Sequence, residues 1–213
     1  MNNRRTVNAL LEQAGRTYAD EAGITLADRP APLYQLLVLA ELMSTRISAH
    51  LAVGAARELV HAGYRTPQRV AAAGRQELVD ALDRGRYVRY DESTATRLRA
   101  NAALLLDRYH GDLRRLAAES GHDPVRCAEL LQQFEGIGPV AADIFLREVQ
   151  DIWTWLRPRF DERARRGARQ LHLPTDPRAL DELGPAGHDA ELAAALVRVT
   201  IDHDLAPAVL GTG

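Results

Sequence analysis

At 213 residues and 23.5 kDa the chain is long enough for one sizeable core or two small lobes, and 46% hydrophobic with 26% charged residues excludes a disordered chain. A formal net charge of -2 excludes a globally basic footprint, so any affinity for nucleic acid must rest on local arrangement. All 27 basic residues are arginine, which removes lysine Schiff-base chemistry, and the single cysteine, Cys127, excludes an intramolecular disulfide and a Cys-ligated iron-sulfur cluster.

The amino-terminal stretch "MNNRRTVNALLEQAGRTYADEAG" is amphipathic, and the apolar run "LYQLLVLAELM" is broken by Glu41. Neither reaches spanning length, so a cytoplasmic protein without membrane attachment is expected. From there on apolar residues recur at helical spacing in "LVLAELMSTRISAHLAVGAARELV", "ELVDALDRG", "ATRLRANAALLLDRY" and "AELAAALVRVTIDHD", while period-two runs of Val, Ile and Thr are missing. The fold class is therefore all-α, with about ten helices joined by short connections. "RTPQRV" and "GHDPVRC" set Thr66 and Asp123 as N-caps with proline at the first helical position, and Ser93 or Thr94 is a cap candidate after "RYVRYD". Glycines 63, 85, 111 and 121 fall where helices should end. Cys127, in "PVRCAELL", reads as a helical core residue. "HLPTDPRALDELGPAGHD", rich in Pro and Gly, reads as a surface excursion, and the seven histidines form no metal-ligand spacing.

The most informative stretch is "LLQQFEGIGPVAADIFLREV". A helix opened by Asp123 and Pro124 and running to about Phe134 meets a second one from about Val140 to Asp151 across the corner "EGIGP". Gly136 and Gly138 remove two side chains, and Ile137 between them is an apolar plug for the core. Successive peptide N-H groups at such a turn, with the positive end of the next helix behind them, form an anion site that a phosphate can approach closely. A bare corner between packed helices would read in the same way.

The order apolar, Gly, apolar, Gly, then "AA", flanked by two helices, resembles the helix-hairpin-helix motif of DNA-binding proteins. "LYQLLVLAELMSTRISAHLAVGAARELV" and "TPQRVAAAGRQELVDALDRGRYVRYDESTATRLRANAALLLDRYHGDL" are similar to the preceding helices of the helix-hairpin-helix DNA glycosylases, the superfamily of endonuclease III, adenine glycosylase and 3-methyladenine glycosylase II. The resemblance covers roughly residues 33 to 171, at the level of pattern. It implies a central helical lobe over residues 34–152, with the hairpin at 124–151, and a second lobe from 1–33 and 153–213. It implies excision of a damaged, extruded base from double-stranded DNA by a monomeric protein of base excision repair. The alternative is a related DNA-binding or damage-recognition protein that has lost catalysis.

Residue by residue, the resemblance places the catalytic aspartate at Asp161, in "RPRFDERARRGAR", and the DNA-backbone contacts at Gly136, Ile137, Gly138 and Val140. As the glycosidic bond stretches, positive charge grows on the sugar, and a carboxylate can stabilise it and orient a water. Asp161 also reads as the N-cap of a solvated helix, with Glu162 and Asp151 as the nearest competing acids. Arg159 and Arg163 are phosphate-contact candidates. Where the bifunctional members carry a lysine this chain has Val140, so an intact strand with an abasic site is the expected product, with alkylated purine as the preferred base. Arg46 stands where relatives fill the gap left by the flipped base, and Tyr87 and Tyr90 lie on a loop near DNA in relatives. Trp153 and Trp155 are candidates for base stacking or for packing. The family pattern departs at Glu135, whose charge would repel a phosphate, and at "FDER" around Asp161. The implied cofactor set is empty apart from a monovalent cation held by carbonyls of the hairpin.

Overall fold

The computed structural model describes residues 2–211. Fourteen α-helices and one 3-10 turn follow one another, with no strand among the described residues. In chain order they are α1 (Asn3–Ala14), α2 (Tyr18–Glu21), α3 (Pro30–Met43), α4 (Ala49–His61), α5 (Pro67–Ala72), α6 (Arg75–Arg84) and α7 (Asp91–Tyr109). Then come α8 (Leu113–Glu119), α9 (Pro124–Leu131), α10 (Pro139–Val149), the 3-10 turn Thr154–Leu156, α11 (Glu162–Gln170), α12 (Pro177–Asp181), α13 (Asp189–Val199) and α14 (Leu205–Gly211). The count exceeds the ten or so that periodicity suggests because α2, α5 and α12 have only 4, 6 and 5 residues, too few to show a period. No described helix is long and apolar enough to cross a membrane.

Capping follows the chemistry of the sequence. Thr66 and Asp123 accept from the amides of Arg69 and Arg126, with Pro67 and Pro124 in the first turn. α7 departs from expectation: it begins at Asp91, not after Ser93 or Thr94. Its first turn is acidic, which suits the positive helix end, and the Ser93 hydroxyl turns back to donate to the Tyr90 carbonyl at 3.0 Å. α9 ends at Leu131, three residues before Phe134, and the chain reaches the corner through turns. The segment read as a surface excursion contains α12, capped by Asp176 and anchored by the fully buried Leu180.

The chain divides into two compact units, one from the residues up to Tyr18 and from Leu146 onward, the other Ala19–Phe145. The junctions fall inside helices α2 and α10, where the resemblance implies 33/34 and 152/153.

The unit formed from both chain ends is organised on α13. Leu192, Ala193, Ala194, Ala195 and Leu196 have no exposed surface, so this helix is core on every face, and α1, α11 and α14 pack around it. Each fully buried leucine there contributes about 2 kcal/mol. α11 approaches closely because Gly167 has no side chain: a Cβ at that position would lie 1.9 Å from the Leu196 carbonyl oxygen.

The Ala19–Phe145 unit is organised on α3, buried from Leu33 to Leu42 apart from Gln35 and flanked by α4 and α8. α7, the longest helix at 19 residues, packs against α5 and α6. One charged residue, Glu41, lies inside the buried face of α3.

Candidate nucleic-acid interface

The corner between α9 and α10 lies at the surface. Glu135, Gly136, Pro139 and Val140 are exposed, and Ile137, at 4% exposure, is the plug that ties the turn to the core. Among the described residues the amides of Gly138, Val140 and Ala141 donate to no acceptor; the first amide of α10 to find one is that of Ala142, which bonds the Gly138 carbonyl at 3.0 Å.

The two glycines have different physical reasons. Gly136 has φ +77°, and a Cβ there would lie 2.8 Å from Arg97 Nε and 3.3 Å from a Glu41 oxygen, so both backbone conformation and packing require glycine. At Gly138 φ is outside the left-handed region and a Cβ would meet nothing within 4 Å. Nothing inside the protein excludes a side chain from position 138.

What holds the corner is a polar network that sequence reasoning missed. The Asn101 side chain clamps the Glu135 backbone on both sides, its Oδ1 accepting from the amide at 2.7 Å and its Nδ2 donating to the carbonyl at 2.8 Å. The same Nδ2 donates to Glu41 Oε2 at 3.0 Å, and Arg97 Nε donates to Glu41 Oε1 at 3.1 Å. Burial pushes the Glu41 carboxyl up to about 7, against the opposing pull of Arg97 and Asn101. Arg97 continues the network to the Thr94 hydroxyl at 2.9 Å, Thr94 in turn bonds Tyr87, and the Tyr87 hydroxyl meets Thr45 Oγ1 at 3.0 Å. Thr45 precedes Arg46, which is exposed on the loop leaving α3. One network therefore braces both the glycine corner and the Arg46 loop.

Tyr87 needs correction. It is 2% exposed, so it packs and braces rather than meeting DNA. Its hydroxyl is held inside by those of Thr45 and Thr94, and its amide bonds the Leu82 carbonyl at the end of α6. The one signal for the network in the sequence was Glu41 itself, a lone acid in an apolar run.

The other unit holds the candidate acid. Asp161 is the N-cap of α11, its Oδ1 accepting from the Ala164 amide at 2.9 Å. Its Oδ2 accepts from Arg147 Nη1 at 2.5 Å, and the two side chains are 5% and 2% exposed. Burial alone would pull the Arg147 guanidinium down, but Asp161 and Glu148 outweigh it and the net direction is upward. Gln150, fully buried, pins the approach to Asp161: its Oε1 accepts from the Arg159 amide at 2.8 Å and its Nε2 donates to the Arg159 carbonyl at 3.0 Å.

The competing acids are engaged elsewhere. Glu162 is exposed and paired with Arg169 and Arg165, and the Arg169 hydrogen bond holds its carboxyl below the ordinary value. Asp151 caps α13 through the amides of Asp189 and Ala190, and burial raises its carboxyl. Arg163 directs Nε to Thr200 Oγ1 at 3.2 Å. Trp153, 4% exposed, stacks on the half-buried Trp155 with centroids 5.6 Å apart, so its ring belongs to the core and is not open to an extruded base.

A monovalent cation at the hairpin would need free carbonyls at the corner. Those of Phe134, Glu135 and Gly138 accept from Ile137, Asn101 and Ala142, which leaves Gly136 and Ile137 to hold it.

No protein-family model and no curated protein matches the chain. Solved structures do. A trapped endonuclease III-DNA covalent intermediate, an estranged-adenine complex, is similar at 18% identity and a TM-score of 0.48, over 92% of this chain and 85% of that one. A non-covalent endonuclease III-DNA complex is similar at 18% identity and a TM-score of 0.54, over 90% of this chain and 80% of that one. The chain has the endonuclease III fold. At this identity the likeness concerns architecture, and what the endonuclease III fold does in this chain rests on its own residues.

Proposed function

We propose that this protein grips duplex DNA by its phosphate backbone at the Gly138–Ala141 corner and excises a damaged base without cutting the strand. The observation that carries the reading is Gly138, a glycine at a surface corner where neither φ nor packing demands one, beside amides that have no acceptor among the described residues. A phosphate drawn in by those amides and by the positive end of α10 needs the space that a Cβ would take. Such a contact positions the duplex and reads no bases. The neighbour with the endonuclease III fold is itself a DNA complex, in keeping with this reading.

For the chemistry, Asp161 is the group we assign. The base leaves the stack, and a carboxylate stabilises positive charge growing on the sugar and orients the attacking water. The chain has no lysine, and Val140 occupies the position where a strand-cleaving relative carries one, so no lysine Schiff base forms, and the amino-terminal amine is the one other route to a covalent adduct. The product is an abasic site in an intact strand. Alkylated purine is the preferred substrate, and the protein acts as a monomer.

A second reading, binding without excision, is favoured by one observation: both oxygens of Asp161 are already engaged, by the Ala164 amide and by Arg147. Two measurements separate and test these readings. Gly138→Ala should leave the unfolding free energy within about 0.5 kcal/mol of wild type while weakening duplex binding several-fold in fluorescence anisotropy; unchanged affinity refutes the grip. Excision from oligonucleotides carrying alkylated purines, uracil or hypoxanthine, run with wild type and Asp161→Asn and with thermal unfolding recorded for both, tests the acid. Release abolished in a folded Asp161→Asn protein supports the glycosylase. Binding with no release by wild type leaves the second reading, and a borohydride-trapped adduct overturns the monofunctional assignment.

A further inference from the structure

The Ala19–Phe145 unit contains a second feature that DNA binding at the corner does not use. A cleft of about 770 Å³ opens at the amino-terminal end of α3, where that helix meets the end of α4, the start of α5 and the turn from α7 to α8. Glu41, which supports the glycine corner, lies near the other end of α3. From Pro30 to Glu41 the helix axis runs roughly 16 Å.

Three arginines line the cleft: Arg29 before α3, Arg65 before α5, and Arg115 in α8. All three are exposed and none forms a salt bridge among the described residues, although Arg115 is near enough to Asp112 to help lower its carboxyl, in a chain with more acids than bases. Arg65 is fixed in place, its Nε donating to the Val60 carbonyl at 3.0 Å. Asp112, the one acid in the lining, is neutralised by Arg114, which donates through Nε to both carboxylate oxygens at 3.0 Å and through Nη2 to one of them at 2.7 Å. That pairing also holds the Asp112 carboxyl below its ordinary value. Gly111, with φ +79°, leaves space for the Gln68 amide, whose nitrogen would lie 3.0 Å from a Cβ there. A neutral donor thus joins three guanidinium groups that form no salt bridge among the described residues in one concavity.

We infer that this cleft binds a small phosphorylated molecule, with the phosphate held by Arg29, Arg65 and Arg115 and the rest of the ligand beside Gln68 and His110. Planar guanidinium forks match phosphate oxygens, and three like charges lining one cleft, with its single acid already held by Arg114, are stabilised by a multiply charged anion. The volume lies in the range of small-molecule sites and the recess is too local for a duplex groove. The inference is independent of the reading of the corner.

Inorganic tripolyphosphate is the probe, titrated calorimetrically into wild type, into an Arg29→Ala/Arg115→Ala double variant and into Gly138→Ala. Exposed arginines without a salt bridge leave the fold intact when truncated, and equal thermal unfolding of the variants checks this. Saturable one-to-one binding by wild type and Gly138→Ala, weakened about tenfold or more in the double variant, with unchanged affinity for duplex DNA, is the expected result. No binding at millimolar probe, equal binding by the double variant, or loss of duplex affinity in it would overturn the inference, the last by making the cleft part of the DNA contact.

Discussion

Asn101 offers the sharpest test of how the corner is built. Truncation to alanine removes three hydrogen bonds at once: two to the Glu135 backbone at 2.7 and 2.8 Å, and one to Glu41 Oε2 at 3.0 Å. Glu41 is 2% exposed, so its orphaned oxygen finds little water, whereas exposed Glu135 recovers part of its loss from solvent. A bond to a buried, partly charged acceptor is worth about 1.5 to 3 kcal/mol and the two backbone bonds about 0.5 to 1 each in that setting, so the sum is roughly 2.5 to 5 kcal/mol. Urea unfolding measures it directly. The affinity of the folded fraction for duplex DNA, read by anisotropy at fixed salt, should fall as well, because the free amides after Gly136 lose their fixed position. A stability loss under about 1 kcal/mol would show that Asn101 does not carry the clamp. A full stability loss with unchanged DNA affinity would show that the clamp serves the fold alone.

Three further outcomes follow from the same geometry. Glu41 is raised from 4.5 to about 7 in the folded protein, so the native state holds the extra proton: its contribution is complete below pH 4.5, declines as pH rises to about 7 and is lost above it. Urea unfolding at pH 5 and pH 8 should differ by an amount of the order of 3 kcal/mol from this residue, and Glu41→Gln should remove that part of the slope; an identical slope in the variant counts against it. Gly167→Ala places a Cβ 1.9 Å from the Leu196 carbonyl oxygen and should destabilise by roughly 3 kcal/mol or more in the same assay, and a loss below about 1 kcal/mol would mean that α11 shifts freely on α13. Arg147→Met leaves Asp161 buried without its partner and should cost about 3 to 5 kcal/mol, whereas Arg147→Met with Asp161→Leu should recover most of it; additive losses in that double-mutant cycle would deny the coupling.

Much of the architecture was legible because helices declare themselves locally. The 3.6-residue period, the Thr-Pro and Asp-Pro starts and the glycine stops need no knowledge of distant residues, and the corner with its Ile137 plug is a local pattern too. What was not legible depends on long separations. Glu41 meets Asn101 and Arg97 across 60 and 56 positions, and nothing in the neighbourhood of any of them signals the others. Tyr87, on a loop that the resemblance places near DNA, is buried with its hydroxyl held by Thr94 and by Thr45, the latter 42 positions away. In "FLREVQDIW" nothing nearby marks the charged Arg147 as buried, because the carboxylate that receives it, Asp161, lies 14 positions on.

These long-range pairs also explain how an acidic protein can be suited to a polyanion. The corner's attraction comes from neutral peptide groups: the unpaired amides of Gly138, Val140 and Ala141 and the aligned dipoles of α10 behind them, which no count of side-chain charges records. Such donors release few counterions when they engage phosphate, so the affinity we propose should fall less steeply with salt than that of a surface built from arginine. Their alignment depends on a fixed backbone, and that is supplied from behind by Asn101, Glu41 and Arg97. The one requirement the network places on the corner is a glycine at 136, where the Arg97–Glu41 pair takes the space of a side chain. Position 138, which the network leaves open, is the one a ligand would occupy. Substitutions at these two neighbouring glycines should therefore separate stability from binding, the first losing both and the second losing binding alone.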